Sequence, residues 1–97
     1  MKTLEEIQEI LKREKVSLSE KYNIAELGIF GSYVRGEQQE NSDLDVLVEY
    51  KGKVSFFDIL HLEEELSQLS GMKVDLVLKS GLKKFMGQQI MKEVEFL

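Results

Sequence analysis

The chain has 97 residues, of which 42% are hydrophobic and 32% charged, and a formal net charge of −5. That length allows one core and no second lobe, so a single domain over residues 1–97 is expected, and the acidity opposes unaided grip on a nucleic acid, which depends on many Lys and Arg contacts. No cysteine and a single histidine exclude disulfides, thiolate zinc sites, cysteine nucleophiles and multi-histidine metal centres. No apolar run approaches the ~20 residues of a membrane span and the charged start has no signal-peptide core, so a cytoplasmic chain without membrane contact is expected.

Thr3-Leu4-Glu5-Glu6 has the form of a capping box, and Leu4, Ile7 and Leu11 recur at helical spacing, predicting a first helix that ends near Asn23. Ser17, with Glu20 three residues on, could cap a fresh turn inside it. From Ala25 to Phe30 the period changes to two, the signature of a strand, and this strand runs into Gly31-Ser32. Tyr33 to Gly36 leaves room for about one helical turn before the polar loop Glu37 to Ser42. Asp43 to Tyr50 alternates cleanly, with Leu44, Val46, Val48 and Tyr50 on one face and Asp43, Asp45, Leu47 and Glu49 on the other. Ser55 to Asp58 is a second capping box, followed by a helical stripe that Gly71 closes. Met72 to Lys79 reads as a third strand, and Leu82 to Leu97 as a final helix plus tail. The order α-β-β-α-β-α describes one compact α/β unit.

Chemistry concentrates on the polar face of two strands. Asp43 and Asp45 lie two apart, so their side chains leave the same face with Cα atoms roughly 6.6 Å apart. The helix over 55–70 is a crossover of the length that sets strand three parallel and adjacent to strand two, so Asp75 projects from the same face. Three converging carboxylates repel, and a hard divalent cation resolves the conflict; oxygen-only ligands favour Mg²⁺ or Mn²⁺. A solvated sheet face would also carry Asp, with Lys73 paired to Asp75. Against that, the chain has fourteen Glu and only four Asp, yet three of those four fall in predicted strands, where Asp is depleted.

Gly31-Ser32 opens a short helix at the end of a strand, where backbone N–H groups and the Ser32 hydroxyl offer donors to an anion. The plainer reading is a strand-to-helix turn with Ser32 as the N-cap. One of only two arginines, Arg35, stands one turn beyond, positioned to clamp a phosphate or to brace an aspartate.

The segment GSYVRGEQQENSDLDVLVEY, from Gly31 to Tyr50, resembles the signature of the DNA polymerase β-like nucleotidyltransferases: GS, ten residues, DxD, then a later strand aspartate, here in KVDLVL. With the small size and the segments SFFDILHLEEELSQLSGMKVDLVL and GLKKF, it is similar to the minimal, MntA-type members. That resemblance implies an α/β (α+β) nucleotidyltransferase fold: a mixed three-stranded sheet of order 1-2-3, helices on one face and the carboxylate site on the other. It implies that Asp43, Asp45 and Asp75 are catalytic and bind two Mg²⁺ ions, and that Gly31 and Ser32, with Arg35 nearby, hold the phosphates of ATP. It further implies a HEPN-domain toxin as partner, with AMP transferred to a toxin tyrosine by an antitoxin. Two alternatives stay open: a non-catalytic antitoxin that acts by binding alone, and transfer to a small hydroxylated molecule, for which relatives need a further domain. The Lys83-Lys84-Phe85-Met86-Gly87 run departs from the proline and basic residues of relatives, which leaves the tail without an inherited role.

Overall fold

The computed structural model describes residues 2–97; Met1 lies outside them. The first helix, α1, spans Leu4–Tyr22, with Thr3 Oγ1 accepting from the Glu6 N–H at 3.2 Å and Glu6 Oε1 accepting from the Thr3 N–H at 3.0 Å. It passes through Ser17 without a break, because Leu18 behind it is buried and rewards continuation of the apolar stripe. Asn23, in the left-handed region at φ 57°, ends it. Strand β1 (Ile24–Phe30), the short helix α2 (Ser32–Arg35), β2 (Leu44–Tyr50), α3 (Phe56–Ser70) and β3 (Val74–Leu78) follow. A 3₁₀ turn over Lys79–Gly81 leads to α4 (Lys84–Glu93) and a two-residue strand β4 (Glu95–Phe96).

The sheet order is β3-β2-β1-β4, with β1 antiparallel to β2, β2 parallel to β3 and β4 antiparallel to β1. The expected 1-2-3 order is present, and a fourth strand corrects the count. Residues 95–96 are too few to show a period of two, so nothing local marks them as a strand. Leu62 and Leu66 of α3 and Ile7 and Leu11 of α1 are fully buried over the face formed by Ile29, Val46 and their neighbours. The outer edge of β3 is closed by α3: Ser67 Oγ accepts from the Val74 N–H at 3.2 Å and Glu63 Oε2 from the Leu76 N–H at 3.3 Å. Those bonds cap an edge that would otherwise invite strand addition.

The second face is not open throughout. Parallel crossovers are right-handed, so the hand that puts α3 over the core face on the way out to β3 sends the return path to β4 across the opposite face. Val94 confirms that course: its Cγ2 lies 2.7 Å from where a Cβ on Gly28 would stand. Gly28 faces the same way as Phe30, Asp45 and Leu47, being paired with Leu47 as Phe30 is with Asp45. Phe30 and Leu47, which alternation assigns to the polar side, are buried there. The expected tail is thus a strap across the carboxylate face, ending with Leu97 N–H donating to Leu27 O at 2.9 Å and Lys15 Nζ donating to Leu97 O.

Candidate active site

Register brings the acids together. Asp45 and Asp75 are Cα partners across the parallel β2–β3 pair, so their side chains leave the sheet on one face at adjacent positions. Asp43 lies one residue before β2 rather than inside it, anchored where the Leu44 N–H donates to Lys73 O at 2.9 Å. The loop before it is fixed by a turn in which Gln39 N–H donates to Ser42 Oγ at 2.8 Å and Ser42 N–H to Gln39 O at 3.0 Å. Lys73 stands 3.9 Å from Asp43 Oδ2 rather than beside Asp75, an exposed pair of little energetic consequence. The Asp45 carboxyl is pushed above the usual carboxylate range, first by burial, then by the negative charges of Asp75 and Asp43; Arg35 opposes the shift and Glu93 adds to it.

The glycine turn meets this cluster directly. Gly31 adopts φ +82°, and a Cβ there would fall 2.0 Å from Asp45 Oδ2, so only glycine satisfies both the backbone and the approach of the carboxylate. Gly31, not Ser32, is the N-cap of α2; Ser32 is its first residue, and Gly36, at φ 72°, ends it one turn later. The twelve-residue separation between Gly31 and Asp43 thus closes a loop that returns β2 alongside β1 with Phe30 opposite Asp45.

Arg35 neither reaches an aspartate nor stands free. Its Nε donates to Glu37 Oε1 at 2.7 Å, and its Nη1 donates to both oxygens of Glu93 at 3.1 Å. Glu93 Oε1 also accepts the Gly31 N–H at 3.0 Å. Sequence reasoning missed Glu93 entirely. It lies 62 residues from Gly31 in the chain, and a lone glutamate ending a lysine-containing helix carries no local mark of such a contact.

Oxygen-only donors around a carboxyl raised by burial and then by its acidic neighbours suit a hard divalent cation, which would remove the repulsion. Among the described residues no three acidic, histidine or cysteine side chains form a ready-made metal cage. Mg²⁺ sites recruit waters and substrate phosphates for much of their shell.

The turn at Gly31-Ser32 is thus packed on the second acid of DxD, with a third acid on the parallel neighbour. The model of the Nucleotidyltransferase domain family matches residues 4–97. The chain belongs to that family. It is 45% identical over 97 residues to the protein adenylyltransferase MntA of Thermococcus cleftensis, a match that covers 100% of this chain and 98% of that protein. Among solved structures, a candidate minimal nucleotidyltransferase superimposes with a TM-score of 0.78 at 31% identity, covering 94% of this chain and 95% of that one. The fold is shared at a TM-score of 0.67 and 19% identity with a chain of the complex between tri-AMPylated Shewanella oneidensis HEPN toxin and MNT antitoxin, over 92% of this chain and 70% of that one. In this nucleotidyltransferase the absence of a side chain at Gly31 admits the Asp45 carboxylate.

Proposed function

We propose that this nucleotidyltransferase transfers AMP from ATP to a tyrosine hydroxyl of a HEPN-domain toxin and thereby acts as its antitoxin. The observation that supports the reading is the register of Asp45 against Asp75 with the Asp45 carboxylate packed on Gly31, acids of the kind that hold a hard cation beside donors of the kind that hold a phosphate. The relatives add support, since the Thermococcus cleftensis protein is a protein adenylyltransferase and the Shewanella oneidensis toxin is AMP-modified in its complex. Phe56, Phe57, Phe85 and Met86 leave exposed apolar surface of the kind protein partners cover.

Asp43, Asp45 and Asp75 would hold Mg²⁺, which supplies charge neutralisation at the α-phosphate and polarisation of the acceptor oxygen. The Gly31 N–H, the Ser32 hydroxyl and the Arg35 guanidinium bind and orient the β- and γ-phosphates. The acceptor oxygen forms a bond to the α-phosphorus while the bond to the bridging oxygen breaks, and pyrophosphate leaves in line. Asp75, which is exposed, would take the proton from the incoming hydroxyl.

Purified protein incubated with ATP, Mg²⁺ and a HEPN-domain toxin encoded beside it should add the mass of AMP to that product, and Asp45→Asn should abolish the adduct; a neighbouring reading frame that encodes no such toxin would count against the partner. An unmodified product with wild-type protein would refute the reading. A second reading, inhibition by binding alone, is favoured by one observation: the Gly31 N–H and Arg35 are already engaged by Glu93. Asp43→Asn protein that protects cells as well as wild type would establish it.

A further inference from the structure

We infer that Glu93 is a built-in competitor of the nucleotide: its carboxylate occupies the donors that a phosphate tail requires, so nucleotide binding must lift the end of the α4–β4 strap from the carboxylate face. The inference rests on the proposed nucleotide site and concerns what controls access to it. One oxygen, Glu93 Oε1, takes both the Gly31 N–H at 3.0 Å and Arg35 Nη1 at 3.1 Å. Backbone N–H plus guanidinium is a donor set for an anion, and here the anion is supplied by the chain itself. A phosphate oxygen cannot share that place with a carboxylate oxygen.

Three features make the contact a latch rather than a fixed brace. Glu93 is the last residue of α4, where a negative charge opposes the helix dipole and depends on Arg35 and the Gly31 N–H for compensation. It also adds its charge to a neighbourhood that already holds Asp45, Asp75 and Asp43. The strap itself is lightly held: α4 buries none of its residues, and Phe85, Met86, Met91 and Phe96 are all exposed. Segments with so little burial open at a small fraction of the global stability. Beyond Glu93 the strap is tied by the two β4 pairings to Gly28 and Ile29 and by the Leu97 bonds to Leu27 and Lys15.

The competition has a direction that a brace would not have. If Glu93 held Arg35 ready for phosphate, removing it would weaken nucleotide binding; if it occupies the phosphate's place, removing it strengthens binding. Calorimetric titration of AMP-PNP with Mg²⁺ into wild type, Glu93→Gln and Glu93→Ala separates the two. Glu93→Gln keeps the shape of the side chain and so guards against a loss of folding. Both variants should bind about tenfold more tightly or better, since the displaced interactions include charge-assisted hydrogen bonds. In wild type, AMP-PNP should also speed hydrogen exchange at the Leu97 amide while leaving the α1 amides unchanged. Equal or weaker binding by Glu93→Gln, or a Leu97 amide indifferent to nucleotide, overturns the latch and leaves the nucleotide reading standing. If AMP-PNP binds neither wild type nor variants, the nucleotide reading falls and the latch falls with it.

Discussion

On one face of the sheet α1 and α3 bury Ile7, Leu11, Leu62 and Leu66 completely, whereas on the other no residue of α4 is buried and its end is held by Val94 against Gly28 and by Glu93 in the glycine turn. The first face is a hydrophobic core with many equivalent contacts, so no single polar group decides its geometry. The second is assembled from charges, hydrogen bonds and one close backbone approach, each of which a ligand can replace. That contrast teaches where stability and function are kept apart: the helices on the core face fix the register of β2 and β3, and the opposite face spends that rigidity on holding like charges together.

The largest expected effect breaks the comparison at its stable side. Leu62→Ala removes a side chain of 0% exposure and should cost about 2–5 kcal/mol, while Met91→Ala on the strap, 40% exposed, should change stability by no more than about 0.5 kcal/mol. Paired denaturant titrations read both; similar costs would mean that the strap is as firmly packed as the core. Gly31→Ala comes next. It forces a Cβ to within 2.0 Å of Asp45 Oδ2 at φ +82°, and backbone strain alone should cost about 1–3 kcal/mol, with the Asp45 carboxylate displaced and nucleotide binding lost. Wild-type stability in Gly31→Ala would contradict the packing of turn on aspartate.

Asp45→Asn sharpens the electrostatic side. Its folded carboxyl is raised above the ordinary value of 3.8, so the folded state binds this proton more tightly than the unfolded one. The stabilising proton is fully in place below that value and is lost as pH rises through the folded pKa, so near neutrality the ionised Asp45 is a burden. In metal-free buffer at pH 7 Asp45→Asn should therefore melt higher than wild type, and the difference should shrink on acidification; a variant that melts lower would remove the case for clustered acids. The smallest effect is at Tyr50, whose buried hydroxyl has no hydrogen-bond partner among the described residues and whose pKa burial pushes up to about 12. Stability from Tyr50 is complete below its unfolded value of 10 and is lost as pH rises toward 12. Tyr50→Phe should be neutral or stabilising by up to about 1 kcal/mol at pH 7 and should flatten the alkaline fall between those values, as thermal melts against pH will show.

Both capping boxes, at Thr3 and Ser55, were legible because a cap is a bond between residues three apart. The alternation through β2 was legible for the same reason of local period, as was the shared face of Asp45 and Asp75, which follows once a crossover helix makes the two strands parallel neighbours. Burial of Phe30 and Leu47 was not: alternation sorts residues into two faces and cannot say that a distant segment will cover the second. Arg35 stood out in the sequence, while its bond to Glu93 did not.

The sequence by itself determined the helices, three strands, the core stripe and the three acids with their glycine turn, because each is written in spacings of two to four residues or in a strand–helix–strand order whose hand is fixed. Only the tertiary structure decided that the path to β4 crosses the carboxylate face, that β4 pairs with β1 and that Glu93 sits on Gly31 and Arg35. Such contacts join residues more than fifty positions apart, and their energy depends on where the chain's return path falls, which no local period encodes.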